Sequence, residues 1–498
     1  MRSLIVVEDP RHWPVESDAA EVVSARNYLT DRRFQEIRRA AVFNVCRSYA
    51  YQSVGYYVSL LAAARGHRPL PSVDTLQGMG AGGVVRHAAD DLDEWIQRDL
   101  ARLRSNELVL SIYFGRNVAR RYDRLSRALF NLFPAPLLRA RFTRGERWRL
   151  RSIRPIPAAE VPAEHRDFLL ERANEYFARP TRSRPAKSFA DDLAILWRGD
   201  DPFAPSSEAA IRRFIRAAEK LGIGCEIIGP NDAGRIAEFD ALWIRETTQV
   251  DHFTYRLARR AEIEGLVVID EPDAIIRSGS KVYQAEVFAR HRIATPRTLV
   301  VGPGSEDEIE REIGWPCVVK RADSAFSLGV TKVGSREELD GTLRDVFARS
   351  SLAVVQAWTP SDFDWRVGVL ERKALFAARY HMARGHWQIA RYGSGGNVRY
   401  GKVEAVRVVE APPDVVELGE RAASLFGDGL FGVDIKVVDD RPLVMEVNDN
   451  PNLDAGYEDA AEGPHIYETL ARFFRTRLDR PRGGAAAVAS DGSTETSP

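Results

Sequence analysis

The stretch Gly432-Val433-Asp434-Ile435-Lys436 through Val444-Met445-Glu446-Val447-Asn448-Asp449-Asn450-Pro451 decides how this chain is read. Two apolar, strand-like runs flank a turn signal, Asp439-Asp440-Arg441-Pro442, and together they read as an antiparallel hairpin. Side chains alternate along a strand, so Glu446 and Asn448 share one face while Met445 and Val447 take the other. A turn centred near Asp440 sets Asp434 directly opposite Glu446, and three oxygen ligands then converge on one patch. A slip of one residue would carry Asp434 to the wrong face. Hard oxygen ligands in small number suit Mg²⁺ (or Mn²⁺) that keeps some water and takes its other ligands from phosphates.

Other elements stand upstream of the hairpin. Ser280-Lys281 opens a helical segment to about Arg290; a cation at a helix start gains nothing from the macrodipole, which favours a working role for Lys281. Pro316-Cys317-Val318-Val319-Lys320 is a short buried strand ending in lysine, followed by the small-residue loop Ala322-Asp323-Ser324-Ala325-Phe326-Ser327-Leu328-Gly329-Val330. Ammonium charge and loop amides together make a phosphate clamp. It is not a Walker loop, since no GxxxxGK[ST] occurs in the chain. The strand run Leu352 to Gln356 leads into Ala357-Trp358-Thr359. In the next strand, from Phe363 to Val367, Asp364 and Arg366 share a face. Arg379 lies on the run Ala374 to Tyr380, where an arginine fork suits a phosphate or acyl phosphate.

In this order over residues 280 to 450, the elements resemble the ATP-grasp ligases, particularly the RimK-like branch. The segment Asn44-Val45-Cys46-Arg47-Ser48-Tyr49-Ala50-Tyr51-Gln52-Ser53, with Tyr56 to Leu61, resembles the N-terminal domain that precedes some RimK-like modules. The resemblance implies an α/β protein: two α+β subdomains clasping ATP, preceded by an α/β pre-ATP-grasp domain and a separate α/β N-terminal domain. It implies that Lys281, Lys320, Ser327, Gly329, Gln356, Ala357, Trp358 and Asp364 bind ATP, with Trp358 either stacked on adenine or packed in the core. Arg366 and Arg379 would be the catalytic arginines, and Asp434, Glu446 and Asn448 the metal ligands. The chain also departs from the family. Ala357 stands where relatives carry an acid, and the loop after Lys320 is poorer in glycine. Ala383 to Ile389 and Gly393 to Asn397 replace the family's Asn-x-x-Arg-Gly-Gly stretch. That region is expected to face the acceptor, so the family's substrate does not carry across.

The activity so implied is ATP-dependent joining of a carboxylate to an amine through an acyl phosphate. Small amino acids or peptides are the expected substrates, glutamate among them, with a protein acceptor left open. The rival readings are phosphoryl transfer to a non-carboxylate acceptor and a non-catalytic nucleotide-binding regulator that engages an acidic partner.

Composition allows this and narrows it. The 498 residues suffice for several domains, and 44% hydrophobic with 29% charged residues gives full cores. Seventy-one basic residues balance seventy-one acidic ones, so no global field draws the chain to nucleic acid or membrane. Locally, Arg98 to Arg154 holds fifteen arginines and four acids. It reads as a solvated helical surface or, alternatively, as the footprint of an acidic partner. Three widely spaced cysteines, Cys46, Cys225 and Cys317, fit no disulfide or zinc framework and suit a reducing cytoplasm. The organisation expected is an N-terminal domain over 1–150 and a proline-bracketed linker over 151–190. A parallel-sheet domain over 191–280, the ATP-grasp domain over 281–478 and a disordered tail over 479–498 follow.

Overall fold

The computed structural model describes residues 2–13, 20–37, 40–80, 92–178, 189–201, 203–323, 329–392 and 398–480. Its first sheet is parallel, built from β1 (Arg2–Val7), β2 (Glu21–Ser24), β3 (Ala40–Asn44) and β4 (Arg68–Leu70) in the order β2-β1-β3-β4. Its near-continuous apolar strands are what a sheet covered on both faces requires. A second, antiparallel sheet follows: β5 (Glu107–Tyr113), β6 (Leu137–Arg144) and β7 (Trp148–Pro155). Ile5, Val7 and Phe43 of the first sheet share one core with Leu110, Ile112, Phe142 and Leu150 of the second. Ile153, Val161, Leu169 and Ala173, expected in a connecting segment, join that same core, the last two from the helix Arg166–Ala178. Prolines there mark turns between packed elements rather than an open linker. The arginine-rich segment is also corrected: its arginines from 139 to 154, Arg147 in the turn excepted, sit on strands, because Leu138, Ala140, Phe142, Trp148 and Leu150 alternate with them at period two.

The next unit is a parallel sheet of β8 (Asp191–Leu196), β9 (Ile223–Ile228), β10 (Ala241–Ile244) and β11 (Val267–Ile269), in the order β11-β10-β8-β9. The helices Glu208–Lys220 and Phe253–Ile263 cover it through Ile211 and Phe214 on one side and Leu257 and Ala258 on the other. Alternation of strand and amphipathic helix at this spacing dictates the arrangement.

Two antiparallel sheets complete the chain. The smaller contains β12 (Thr298–Val301), β13 (Cys317–Arg321), β14 (Val330–Val333) and β15 (Ala353–Ala357), ordered β12-β15-β13-β14, with a core of its own around Val319, Val355 and Leu339. The larger contains β16 (Phe363–Leu370) and β17 (Lys373–His381). A short ribbon, β18 (Ala390–Tyr392) with β19 (Val398–Tyr400), precedes its edge strand β20 (Val403–Val406). β21 (Leu430–Val438) and β22 (Arg441–Asp449) then close the order β20-β17-β16-β21-β22. Leu370, Phe376, Leu430 and the final helix His465–Leu478 lie in one core with Phe214 and Trp243, so this sheet and the parallel sheet are built on one core. Among the described residues no helix is long and apolar enough to cross a membrane.

Candidate active site

The hairpin forms as a tight turn. Val438 pairs with Arg441, leaving Asp439 and Asp440 as the two turn residues, both at positive φ (48° and 57°). Short polar side chains tolerate that conformation, which matches the twist of the strands. Between Ile435↔Val444 and Asp434↔Glu446 the register shifts by one, and Met445 is the extra residue of a β-bulge. Met445 and Glu446 accordingly both line the cavity, while Val444 and Val447 are fully buried in the core behind. Met445 was expected on the core side; the bulge turns it round.

Asp434, Glu446 and Asn448 thus stand on one wall of a cavity of about 1210 Å³. The same wall carries Arg366, whose Nη2 donates to Asp434 Oδ2 at 2.8 Å while its Nε donates to Oδ1. Asn448 Nδ2 donates to Asp434 Oδ2 at 3.3 Å, and Lys281 Nζ donates to Glu446 Oε2 at 2.6 Å. Burial pushes the Asp434 carboxyl up to about 6 although Arg366 opposes it. Burial would raise Glu446 too, but Lys281 and Lys320 outweigh it and hold that carboxyl well below the usual range. Among the described residues, Glu446 Oε1 and Asn448 Oδ1 accept no hydrogen bond, and both residues line the cavity. One unused oxygen of the Glu446 carboxylate and one of the Asn448 amide, beside the Asp434 carboxylate, are hard donors of the kind a small cation takes, so Mg²⁺ fits these residues.

The opposite wall comes from the smaller sheet. Lys320 is the penultimate residue of β13, with 8% of its surface exposed. Burial lowers its ammonium to about 8, Glu446 pulls it up, and Lys281 pushes it further down. Lys281 follows the N-cap Ser280, and its backbone N–H bonds Ala322 O at 2.8 Å, fastening the helix start to the loop after Lys320. Gly329 closes that loop through Arg321 N–H to its carbonyl at 3.0 Å. With φ +74° and the Arg321 guanidinium against its Cα, that position admits no side chain without displacement. Ser327 lies outside the described residues. Gln356, Ala357 and Trp358 also line the cavity; Gln356 donates to Thr298 Oγ1 at 3.0 Å, and its Oε1 is buried with no partner among the described residues.

Two expected site residues stand differently. Asp364 lines the cavity but is tied to Lys436 Nζ at 2.6 Å and Ser361 Oγ at 3.0 Å. Lys436, two residues beyond Asp434 on the same strand, is a cavity cation that the two-residue period signals and the sequence reading passed over. Arg379 is not in the cavity. It pairs across the sheet with Trp365, so it shares the face of Trp365 and Phe363, with its guanidinium 4.9 Å and 5.3 Å from their rings. Its neighbour Tyr380 takes the inward place, opposite Asp364, with Arg366 4.8 Å from its ring. One residue of parity separates the two, and strand alternation sends them to opposite faces.

The loop from Ala383, expected at the acceptor, brings Trp387 edge-on to Trp358 with ring centroids 5.1 Å apart. Lys332 Nζ lies 3.8 Å over the same Trp358 ring. Gly393 to Asn397 lie outside the described residues. Arg245, one residue past the strand run read as Ala241 to Ile244, escaped the sequence reading entirely. It is fully buried and donates to Ser206 Oγ (3.0 Å), Asn450 Oδ1 (2.6 Å), Pro205 O (2.5 Å) and Pro451 O (2.8 Å), locking the segment after the hairpin to the parallel sheet.

Residues 25–172 match the family model described as the RimK-like ATP-grasp N-terminal domain, and residues 289–455 match the D-Ala D-Ala ligase C-terminus. A probable alpha-L-glutamate ligase 1 of Shewanella amazonensis is 25% identical over 281 residues, 53% of this chain and 88% of the relative. A probable alpha-L-glutamate ligase of Vibrio vulnificus is 26% identical over 257 residues, 50% of this chain and 81% of the relative. Among solved structures, a RimK-domain ATP-grasp protein of Sphaerobacter thermophilus aligns with 57% of this chain and 98% of its own, at 17% identity and a TM-score of 0.43. The D-alanine–D-alanine ligase of Bacillus anthracis aligns with 58% and 98%, at 17% identity and a TM-score of 0.46.

Proposed function

We propose that this chain, which belongs to the ATP-grasp ligases, joins a carboxylate to an amine through an acyl phosphate, with glutamate or a glutamate-containing peptide among its substrates. The observation that carries the reading is the meeting of Lys281, Lys320, Asp434, Glu446 and Asn448 around one cavity between two antiparallel sheets. The glutamate part of the proposal draws on the names of its relatives.

In this reading Lys320 and Lys281 neutralise the nucleotide phosphates, Lys320 from a buried position where charge counts for more than in water. Gln356, Ala357 and Trp358 line the adenine side. Arg366 holds Asp434 in place through two parallel hydrogen bonds. Mg²⁺, when held by Asp434, Glu446 and Asn448, supplies charge neutralisation at the phosphate oxygens. The substrate carboxylate attacks the γ-phosphorus, the bond to ADP breaks, and the amine then displaces phosphate from the acyl carbon and loses a proton. Such chemistry rests on positioning and charge more than on a protein nucleophile. Cys46, Cys225 and Cys317 are all free thiols, which agrees with a reducing cytoplasm as the setting.

The test is ADP release across a panel of amino acids and short peptides, followed by mass spectrometry of the product. ADP release that needs both an acid and an amine, with an amide as product, is the expected result. A phosphorylated product with no amide, or ATP binding with no release under any pairing, overturns the reading.

A further inference from the structure

The β5-β6-β7 sheet buries one face in the N-terminal core; the segment holding His165 and Phe168 covers the other face only at its Tyr113–Leu137 end, and among the described residues the rest of that face is open. Leu110, Ile112, Leu138, Ala140, Phe142, Leu150 and Ile153 point inward. The residues between them point outward and are dominated by arginine. Arg139 stands between Ser111 and Arg154, Arg141 between Val109 and Ser152, and Thr143 between Glu107 and Arg149; Arg151 is the extra residue of a bulge. The Arg151 Nε donates to Thr143 Oγ1 at 2.7 Å, which keeps it on this outer face.

Among the described residues, two acids answer these five arginines. Glu160 pairs with Arg139 at 2.9 Å and Arg154 at 2.6 Å, and Glu107 pairs with Arg141 at 3.0 Å. Arg149 has no ion pair or hydrogen bond among the described residues, and Arg151 has only the threonine hydroxyl. Arg141 and Glu107 keep 56% and 58% of their side-chain surface exposed, so that pair is weak and an incoming carboxylate can replace it at little cost. The chain carries as many acids as bases, so the excess on this face reflects placement rather than overall charge.

We infer that this face docks an extended acidic peptide, one with carboxylates at alternate positions. Outward side chains recur along a strand at the spacing of alternate residues in any extended chain, so carboxylates on a segment lying along β6 or β7 meet guanidinium forks in step. Nucleic acid fits less well. Sheets that read single-stranded RNA stack bases on outward aromatic rings, whereas Tyr113 on this face is fully buried with Leu137, and the accessible outward residues other than arginine are Glu107, Val109, Ser111, Thr143 and Ser152.

The experiment uses the full chain without ATP, so its outcome is separate from that of the ligase proposal. A fluorescein-labelled oligoglutamate peptide is titrated and followed by anisotropy at low and at physiological salt. Binding at low salt that weakens with added salt is expected. The triple variant Arg141→Ser/Arg149→Ser/Arg151→Ser weakens it about tenfold or more, with an unchanged thermal midpoint. The matching triple lysine variant keeps the charge without the fork and is expected to bind with intermediate affinity, which keeps the test decisive if the serine variant folds poorly. No peptide binding at low salt overturns the proposal, as does equal binding by the serine variant. Tighter binding of oligouridylate than of oligoglutamate, or a change of oligomeric state in the variants, also overturns it, in favour of a nucleic-acid or self-association face.

Discussion

Asp434 stands opposite Glu446 because Met445 is one residue too many for the strand that carries them. Counted from the two-residue turn alone, Asp434 would face Met445, and Glu446 would point into the core beside Val444. The bulge moves the carboxylate to the cavity without lengthening the turn. Glu446→Gln keeps the shape and removes the charge. It is expected to lower acid- and amine-dependent ADP release by about 10²-fold or more, the scale of losing one charge-stabilising group. The check is the initial rate against Mg²⁺ concentration, alongside the thermal midpoint. A variant with normal turnover and normal Mg²⁺ dependence removes Glu446 from the site.

Lys320 gives a pH signature. Its ammonium is depressed from an ordinary 10.5 to about 8 by burial, and only the charged form attracts phosphate. ATP affinity is therefore expected to fall as pH rises through about 8, and Lys320→Arg should flatten that dependence. The sign for stability is opposite. Between about 8 and 10.5 the unfolded chain holds the extra proton, so this group's contribution to the stability of the ligand-free protein increases with pH across that window. Isothermal titration with ATP from neutral to alkaline pH measures the first effect, and a pH-independent affinity in the wild-type chain contradicts it.

Trp387 touches Trp358, which the proposed function puts on the nucleotide side. Its edge-on contact with Trp358 is of a kind worth about 0.5–1.5 kcal/mol. Trp387→Ala is expected to raise the KM for ATP several-fold and to move the KM of the amine less. Steady-state kinetics with each substrate varied in turn decides this, and the reverse pattern would return the loop to the acceptor.

Arg245 satisfies four buried acceptors at once. Arg245→Met removes this donor from Ser206 Oγ, Asn450 Oδ1 and Pro451 O, while Pro205 O keeps the Leu453 N–H, and is expected to lower stability by about 3 kcal/mol or more. Arg245→Lys should rescue little, since an ammonium has three donors and no planar fork. Denaturant unfolding of both variants provides the measurement; a methionine variant as stable as wild type would mean that those acceptors find other donors.

These residues also mark how far the sequence could be read. Periodicity exposed the hairpin, the strand-borne Lys320 and the parallel sheet, because each is a local pattern of apolar residues. Parity defeated it at β17. Arg379 and Tyr380 differ by one position, and nothing in the run Ala374 to Tyr380 says which of them faces inward until β17 is paired with β16. The Asp434–Glu446 pairing was anticipated from a turn centred near Asp440, whereas the turn lies half a residue earlier and the bulge makes up the difference. Arg245 was invisible for another reason: a buried cation is justified by acceptors far off in sequence, Pro205 and Ser206 on one side and Asn450 and Pro451 on the other. The arginine strands were legible in principle, since their apolar residues alternate at period two, but the count of charges drew the reading toward a helical surface.

The shared core of the parallel sheet and the larger antiparallel sheet bears on motion. Arg245 bolts those two layers together, and Arg68 of the N-terminal unit reaches Asp240 at 2.6 Å. Among the described residues, the core of the smaller sheet holds no residue of any other sheet. Opening the cavity for nucleotide exchange therefore asks one jaw to swing, residues 298–357, against a frame that holds everything else. Spin labels on that jaw should change their distances to the frame when ATP is added, while labels on the arginine face and the hairpin keep theirs. A peptide moored on that face would remain at constant range from the carboxylates of the hairpin through every cycle of the jaw, like work clamped to the fixed side of a vice.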